Sequence, residues 1–123
     1  MPRILIAEDD DRLSRMYKAM LEKEGFDTET ADTGSLALFR IDQSHIDLVL
    51  LDMMMLGESG LDVLKELNLH PVSPRPKIVV FSNIDNPSII EQARAEGIDG
   101  YMVKSNVEPE QVISYIKEIL AGK

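Results

Sequence analysis

The sequence predicts an α/β fold: one doubly wound sheet of five parallel strands with helices on both faces. Five short candidate strands recur along the chain, three of them apolar runs rich in Ile, Val and Leu. Each is followed by a stretch whose apolar residues fall at the 3–4 spacing of an amphipathic helix. Most of the runs are nearly continuous rather than alternating, as expected of strands buried on both faces of a parallel sheet. Five strands alternating with five helices require right-handed crossovers and helices covering both faces.

The first strand is Arg3-Ile4-Leu5-Ile6-Ala7, stopped by Glu8-Asp9-Asp10-Asp11, where Asp10 or Asp11 is placed to cap a helix. That helix carries Leu13, Met16, Tyr17, Met20 and Leu21 and stops at Gly25. Residues 26–31 (FDTETA) alternate more than the other strands and read as a sheet edge. Asp32-Thr33-Gly34 opens a second helix with Leu36, Ala37, Phe39 and Ile41. The third strand, Ile46 to Asp52, is an almost continuous apolar run that ends in a carboxylate. A loop from Met53 to Ser59 leads into a helix with Leu61, Leu64 and Leu67 inward, which ends before Pro71, Pro74 and Pro76. Lys77 to Phe81 form the fourth strand, ending at Ser82-Asn83; Asn86-Pro87 caps and starts a helix running to Gly97. Asp99 to Val103 form the fifth strand, ending at Lys104-Ser105. Pro109 opens a last helix with Val112, Ile113, Ile116 and Leu120.

The chain has 123 residues, which suits a single domain over 1–123. A net charge of -9 and the lack of clustered Lys and Arg argue against direct binding of nucleic acid or of an anionic membrane. The absence of cysteine excludes disulfides, thiolate metal sites and Cys nucleophiles. No apolar run approaches the length of a membrane span and no secretory leader is apparent, so a cytoplasmic location is expected.

In a parallel sheet the carboxyl ends of all strands lie along one edge, where open α/β folds bind ligands. The residues just past the inner strands are Glu8-Asp9, Asp52, Ser82 and Lys104. Three clustered carboxylates repel one another unless a cation intervenes. An all-oxygen donor set without Cys or nearby His suits a hard ion, Mg²⁺ above all. A lysine, a hydroxyl and Mg²⁺ together cradle phosphoryl oxygens, and Asp52 is placed to act as a carboxylate nucleophile forming an acyl phosphate. Taken alone, Asp9-Asp10-Asp11 suits a solvated helix start, Ser82 a strand-end turn and Tyr101 a half-buried strand aromatic; their joint placement changes that reading. His45 and His70 read as surface residues, and Met53, Met54 and Met55 as loop and core packing.

With these residues in place the chain resembles, end to end, a receiver domain of two-component response regulators, of the single-domain, chemotaxis-regulator-like kind. The acidic pair is Glu8 and Asp9, the phosphoacceptor Asp52, the expected glycine eight residues on Gly60, the hydroxyl Ser82, the aromatic switch residue Tyr101 and the lysine Lys104. The resemblance implies a flavodoxin-like strand order 2-1-3-4-5. It implies Mg²⁺ held by Asp9, Asp52 and the backbone carbonyl of Met54, with Glu8 acting through water. It implies transfer of a phosphoryl group to Asp52 from a histidine kinase or histidine phosphotransfer protein, with Lys104 pairing to the phosphoryl group. Ser82 and Tyr101 then move to switch a surface built by the fourth helix, fifth strand and fifth helix. Output is expected through contact with an unidentified protein partner; the alternatives are an onward phosphorelay intermediate or the receiver portion of a longer regulator.

Four positions depart from the family pattern. Leu56 stands where a proline is usual, so the loop lacks that restraint. Ser105 stands where the family has a proline joined by a cis peptide; a cis bond to a non-proline residue costs about 2.5–4 kcal/mol, so Lys104–Ser105 is expected to be trans. Asn83 replaces a small residue, and Met54 offers no polar group to orient a hydrolytic water, so slow self-dephosphorylation is expected. Met54 also occupies the place where an aspartyl-phosphate phosphohydrolase needs its second acid/base carboxylate, which argues against an enzyme of that class. A scaffold that had lost phosphorylation would lack the acidic pair, Asp52 or Lys104, and all are present.

Overall fold

A computed structural model describes residues 1–122. Its elements alternate as β1 (Arg3–Ala7), α1 (Asp11–Lys23), β2 (Asp27–Ala31), α2 (Gly34–Gln43), β3 (Leu48–Leu51), α3 (Gly60–Leu69), β4 (Lys77–Ser82), α4 (Pro87–Ala95), β5 (Gly100–Val103) and α5 (Pro109–Gly122). A 3-10 turn over Lys104–Asn106 follows β5. The strands form one parallel sheet in the order β2-β1-β3-β4-β5, with β2 and β5 at the edges.

Alternate residues of each strand point to opposite faces, and this divides the core. Leu5, Ala7, Val49, Leu51, Ile78 and Val80 pack against buried residues of α2, α3 and α4. Ile4, Ile6, Leu48, Leu50, Val79 and Phe81 pack against Tyr17 and Leu21 of α1 and Val112, Ile113 and Ile116 of α5. The central strands β1, β3 and β4 are apolar on both sides because both sides are covered.

Local chemistry sets the boundaries. Asp10 caps α1 by accepting from the amides of Arg12 and Leu13, and Gly25 takes the left-handed conformation just past its end. Thr33 caps α2, Asn86 caps α4 ahead of Pro87, and Ser59 forms a reciprocal capping box with Asp62 at the start of α3. The expected alternation at β2 matches its position as an edge strand.

Two side chains fall elsewhere than expected. Phe39 is 60% exposed. Gly34, Ala37 and Ile41 define the buried stripe of α2, and at 100° per residue Phe39, two positions from Ala37 and from Ile41, projects from the opposite side. Met16 of α1 is 38% exposed for a related reason, the buried stripe of that helix being Ser14, Tyr17 and Leu21. His45 and His70 lie at the surface, each paired with a carboxylate, Asp47 and Glu66 respectively. No helix among the described residues is long and apolar enough to cross a membrane.

Candidate functional site at the carboxyl edge of the sheet

The site is built where β1, β3, β4 and β5 end. The Asp52 amide donates to the Ala7 carbonyl at 2.9 Å, extending the β1–β3 ladder by one residue and fixing where the Asp52 side chain starts. Its Oδ1 accepts from the Met54 amide at 3.1 Å. Glu8 follows Ala7 and its Oε2 accepts from the Asp10 amide at 3.1 Å, so the turn that caps α1 also orients Glu8. Glu8 and Asp52 are both 5% exposed, while Asp9 faces solvent. One carboxylate oxygen from each of Glu8, Asp9 and Asp52 lies within 4.8 Å of the others.

Gly60 holds the back of the site. A Cβ on this residue would stand 2.6 Å from the Asp52 carbonyl oxygen and 2.7 Å from the Met53 Cα, both backbone atoms. Only glycine lets the first turn of α3 press so closely on the phosphoacceptor candidate. The loop between them lacks the family's proline at Leu56, yet it is tied down by other means. Leu56 pairs with Thr33 in an isolated parallel bridge, and the Ser35 hydroxyl donates to Glu58 Oε1 at 2.7 Å.

Lys104 supplies the countercharge. Its Nζ lies 2.6 Å from Glu8 Oε1 and 3.1 Å from Asp52 Oδ2, and stands 5.6 Å from the centroid of the Phe81 ring. Burial pushes the Glu8 carboxyl up to about 7, with the Asp52 charge adding to the rise, against the opposing pull of its hydrogen bonds from Lys104 and the Asp10 amide. Burial works to lower the Lys104 ammonium too, but the hydrogen bond to Glu8 and the charge of Asp52 outweigh it and the net shift is upward. The lysine is thus held in its charged form between the Glu8 and Asp52 carboxyl groups.

Ser82 is fully buried at the end of β4, and its hydroxyl accepts from the Ile84 amide at 3.3 Å. Tyr101, half-buried against the α2–α3–α4 side of the core, donates its hydroxyl to the Ile84 carbonyl at 2.7 Å. Its phenol is shifted upward by burial, with the charges of Asp52 and Asp85 adding to it, and so stays a neutral donor. Both residues thus bind the same residue of the β4–α4 loop. Met54 presents only its backbone to the site, its side chain being 63% exposed, whereas Met53 and Met55 are buried. The Lys104–Ser105 peptide is trans; Ser73–Pro74 is the one cis peptide among the described residues.

The sequence expectations Glu8, Asp9, Asp52, Ser82 and Lys104 therefore meet at one edge, with Lys104 in direct contact with two of them and Tyr101 one loop away. Two neighbours were expected only as a strand end and a helix cap, not as parts of the site. Phe81, the residue before Ser82, floors the lysine side chain, a role an aromatic next to the strand end could have suggested. Asp10 steers Glu8 through its backbone amide, for which residue type carries no signal.

The donor chemistry fits a hard divalent ion. An octahedral Mg²⁺ with bonds of about 2.0–2.1 Å places its ligand atoms about 3–4 Å apart. Oxygens spread over as much as 4.8 Å meet that if one carboxylate acts through water, and Mg²⁺ normally keeps several waters.

Sheet order, acidic cluster and lysine together have the arrangement of a receiver domain. The chain belongs to the response regulator receiver domain family, whose sequence model matches residues 4–117. It is 32% identical over 120 residues to the phosphate regulon transcriptional regulatory protein PhoB of Rhizobium meliloti, covering 98% of this chain and 52% of that protein. It is likewise 32% identical over 115 residues to the DNA-binding response regulator MtrA of Mycolicibacterium smegmatis, covering 94% and 49%. The chain thus spans about half the length of the curated relatives it matches. Among solved structures, a CheY-like receiver domain protein of Methanospirillum hungatei superposes with a TM-score of 0.90 at 28% identity, covering 99% of this chain and 95% of that one. The response regulator TrrA of Thermotoga maritima, solved in complex with Mg²⁺-BeF, superposes with a TM-score of 0.83 at 29% identity, covering 97% and 99%.

Proposed function

We propose that residues 1–123 form a single receiver domain that accepts a phosphoryl group on Asp52 and passes the signal on by protein contact. The observation that carries this reading is the buried carboxylate pair bridged by Lys104, with Asp9 beside it. In the step proposed, an Asp52 carboxylate oxygen attacks the phosphorus of a phosphohistidine on a histidine kinase or phosphotransfer protein. A P–O bond forms, the P–N bond breaks, and the imidazole leaves and takes up a proton. Asp9, Asp52 and the Met54 carbonyl would hold Mg²⁺, with Glu8 acting through water. Bound there, the ion offsets the negative charge that gathers as phosphoryl oxygens approach carboxylates.

Lys104 then turns from Asp52 Oδ2 toward a phosphoryl oxygen while keeping Glu8 as its second anchor. Ser82 gives up its acceptor role toward Ile84 and donates to the phosphoryl group. Because Tyr101 also holds Ile84, this exchange bears directly on the β4–α4 loop and biases the surface of α4, β5 and α5. The chemistry is confined to self-catalysed transfer and hydrolysis, with no separate substrate turned over. The acidic surface disfavours direct contact with nucleic acid or membrane, and the proposed location is the cytoplasm, where a histidine kinase presents its phosphohistidine. The test is to incubate the protein with Mg²⁺ and phosphoramidate and weigh it intact. A gain of one phosphate that is lost on removing Mg²⁺ supports the reading; no gain at saturating donor contradicts it.

A further inference from the structure

The turn that carries Lys104 is capped from outside. Lys104–Asn106 form a single 3-10 turn, and its N-cap residue, Val103, makes no side-chain cap bond. The first amides of a helical turn have no partner within it and are usually satisfied by a polar side chain just before it. Val103 has none to offer. The Ser105 amide donates instead to Asn83 Oδ1 at 3.1 Å, reaching across to the β4–α4 loop. Asn83 follows Ser82, and Ser82 is the ladder partner of Val103. One hydrogen bond therefore joins the residue after the hydroxyl to the residue after the ammonium. It depends on two features of this chain. Asn83 has a carbonyl where a small side chain would have nothing, and Ser105 has an N–H where proline would have none.

We propose that Asn83 is a positioning residue for phosphoryl transfer to Asp52: its side-chain carbonyl caps the Lys104 turn and so sets where Lys104 Nζ stands relative to the Asp52 carboxylate. The inference rests on the reading of Asp52 as phosphoacceptor. Asn83 and Ser105 are both exposed, so the bond does little for the global fold. Its effect is on aim, since transfer depends on groups held in reacting geometry and small displacements are costly. The same bond occupies one of the two lone pairs of Asn83 Oδ1 and fixes the side chain toward Ser105.

The experiment follows phosphate gain from acetyl phosphate with Mg²⁺ by intact mass, for wild type, Asn83→Ala, Ser105→Ala, Ser105→Pro and Asn83→Ala/Ser105→Pro. Amide spectra of the same proteins follow Ser105. Asn83→Ala is expected to slow phosphorylation about three- to tenfold, the worth of one hydrogen bond, with Tm almost unchanged. The Ser105 amide proton is expected to shift upfield and exchange faster in that variant. Ser105→Ala keeps the N–H and is expected to behave as wild type. In the Ser105→Pro background Asn83→Ala is expected to have no further effect. Asn83→Ala at the wild-type rate, or an equal slowing in the Ser105→Pro background, overturns the positioning role while leaving the phosphoacceptor reading intact. A wild-type chain that takes no phosphate overturns both.

Discussion

Lys104 bridges Asp52 and Glu8: its Nζ is 3.1 Å from Oδ2 of the first and 2.6 Å from Oε1 of the second. One cation offsets part of the charge of two carboxyl groups that burial would otherwise penalise. Removing one partner of a buried ion pair leaves the remaining charges uncompensated. Lys104→Met is therefore expected to destabilise the magnesium-free protein by about 3 kcal/mol. Because Mg²⁺ would supply the missing charge, it should raise the Tm of the variant by more than that of wild type. Thermal unfolding with EDTA and with excess Mg²⁺ measures both, and an equal rise in the two proteins contradicts the shared role of lysine and metal.

Gly60 makes a second prediction. An added Cβ meets the backbone of Asp52 and Met53 at 2.6 and 2.7 Å, so something in the backbone must shift. Gly60→Ala is expected to cost about 1–3 kcal/mol in urea unfolding, as overpacking does. Because the displaced atoms belong to the proposed phosphoacceptor, Asp52, and to the residue after it, the variant should also take up phosphate more slowly. A variant of unchanged rate would mean that the α3 contact does not position Asp52.

The lifetime of the phosphoprotein follows from two side chains that decline to help water. Met54 projects into solvent and Asn83 Oδ1 is held by the Ser105 amide. Met54 has no polar group to orient an attacking water and Asn83 is turned toward Ser105, so the acyl phosphate is expected to last minutes or longer at neutral pH. Loss of the added mass after donor removal measures it, and a lifetime of seconds contradicts the expectation.

Tyr17 governs an alkaline limit. Burial raises its phenol from 10.0 to about 12, with the charges of Glu110 and Glu108 adding to the rise. A raised folded value means that stability is present in full below the unfolded value near 10 and is lost as pH rises through the folded value near 12. With the ring almost wholly buried, the loss amounts to about 2–3 kcal/mol. Tyr17→Phe keeps the edge-on contact with Phe81 and should show a shallower fall between pH 9 and 12. Parallel curves for the two proteins contradict the assignment.

Most of this architecture was legible in the residues alone. The continuous apolar runs of β1, β3 and β4 could only be strands covered on both faces, and the weaker alternation of β2 marked it as an edge. The polar residue ending each run named Glu8, Asp52, Ser82 and Lys104 before any geometry. What could not be read was pairwise: which side chains share a bond once loops meet. Phe39 was grouped with the apolar residues of α2, and the phase of that helix places it outside. The Asn83–Ser105 bond was invisible for a different reason. It joins residues 22 apart, each of which looked like an isolated departure from the family pattern. Together they form one contact, between the Ser105 N–H and the Asn83 side-chain carbonyl.

The central claim is that the phosphoryl group is carried as an acyl phosphate on Asp52. The most direct measurement is to phosphorylate the protein with acetyl phosphate and Mg²⁺, reduce the acyl phosphate with borohydride, and map the peptides by mass. The account predicts homoserine at position 52 alone, and neither phosphate gain nor homoserine in Asp52→Asn. Reduction at Glu8 or Asp9 instead, or a phosphate on Ser82 that borohydride leaves untouched, would contradict it.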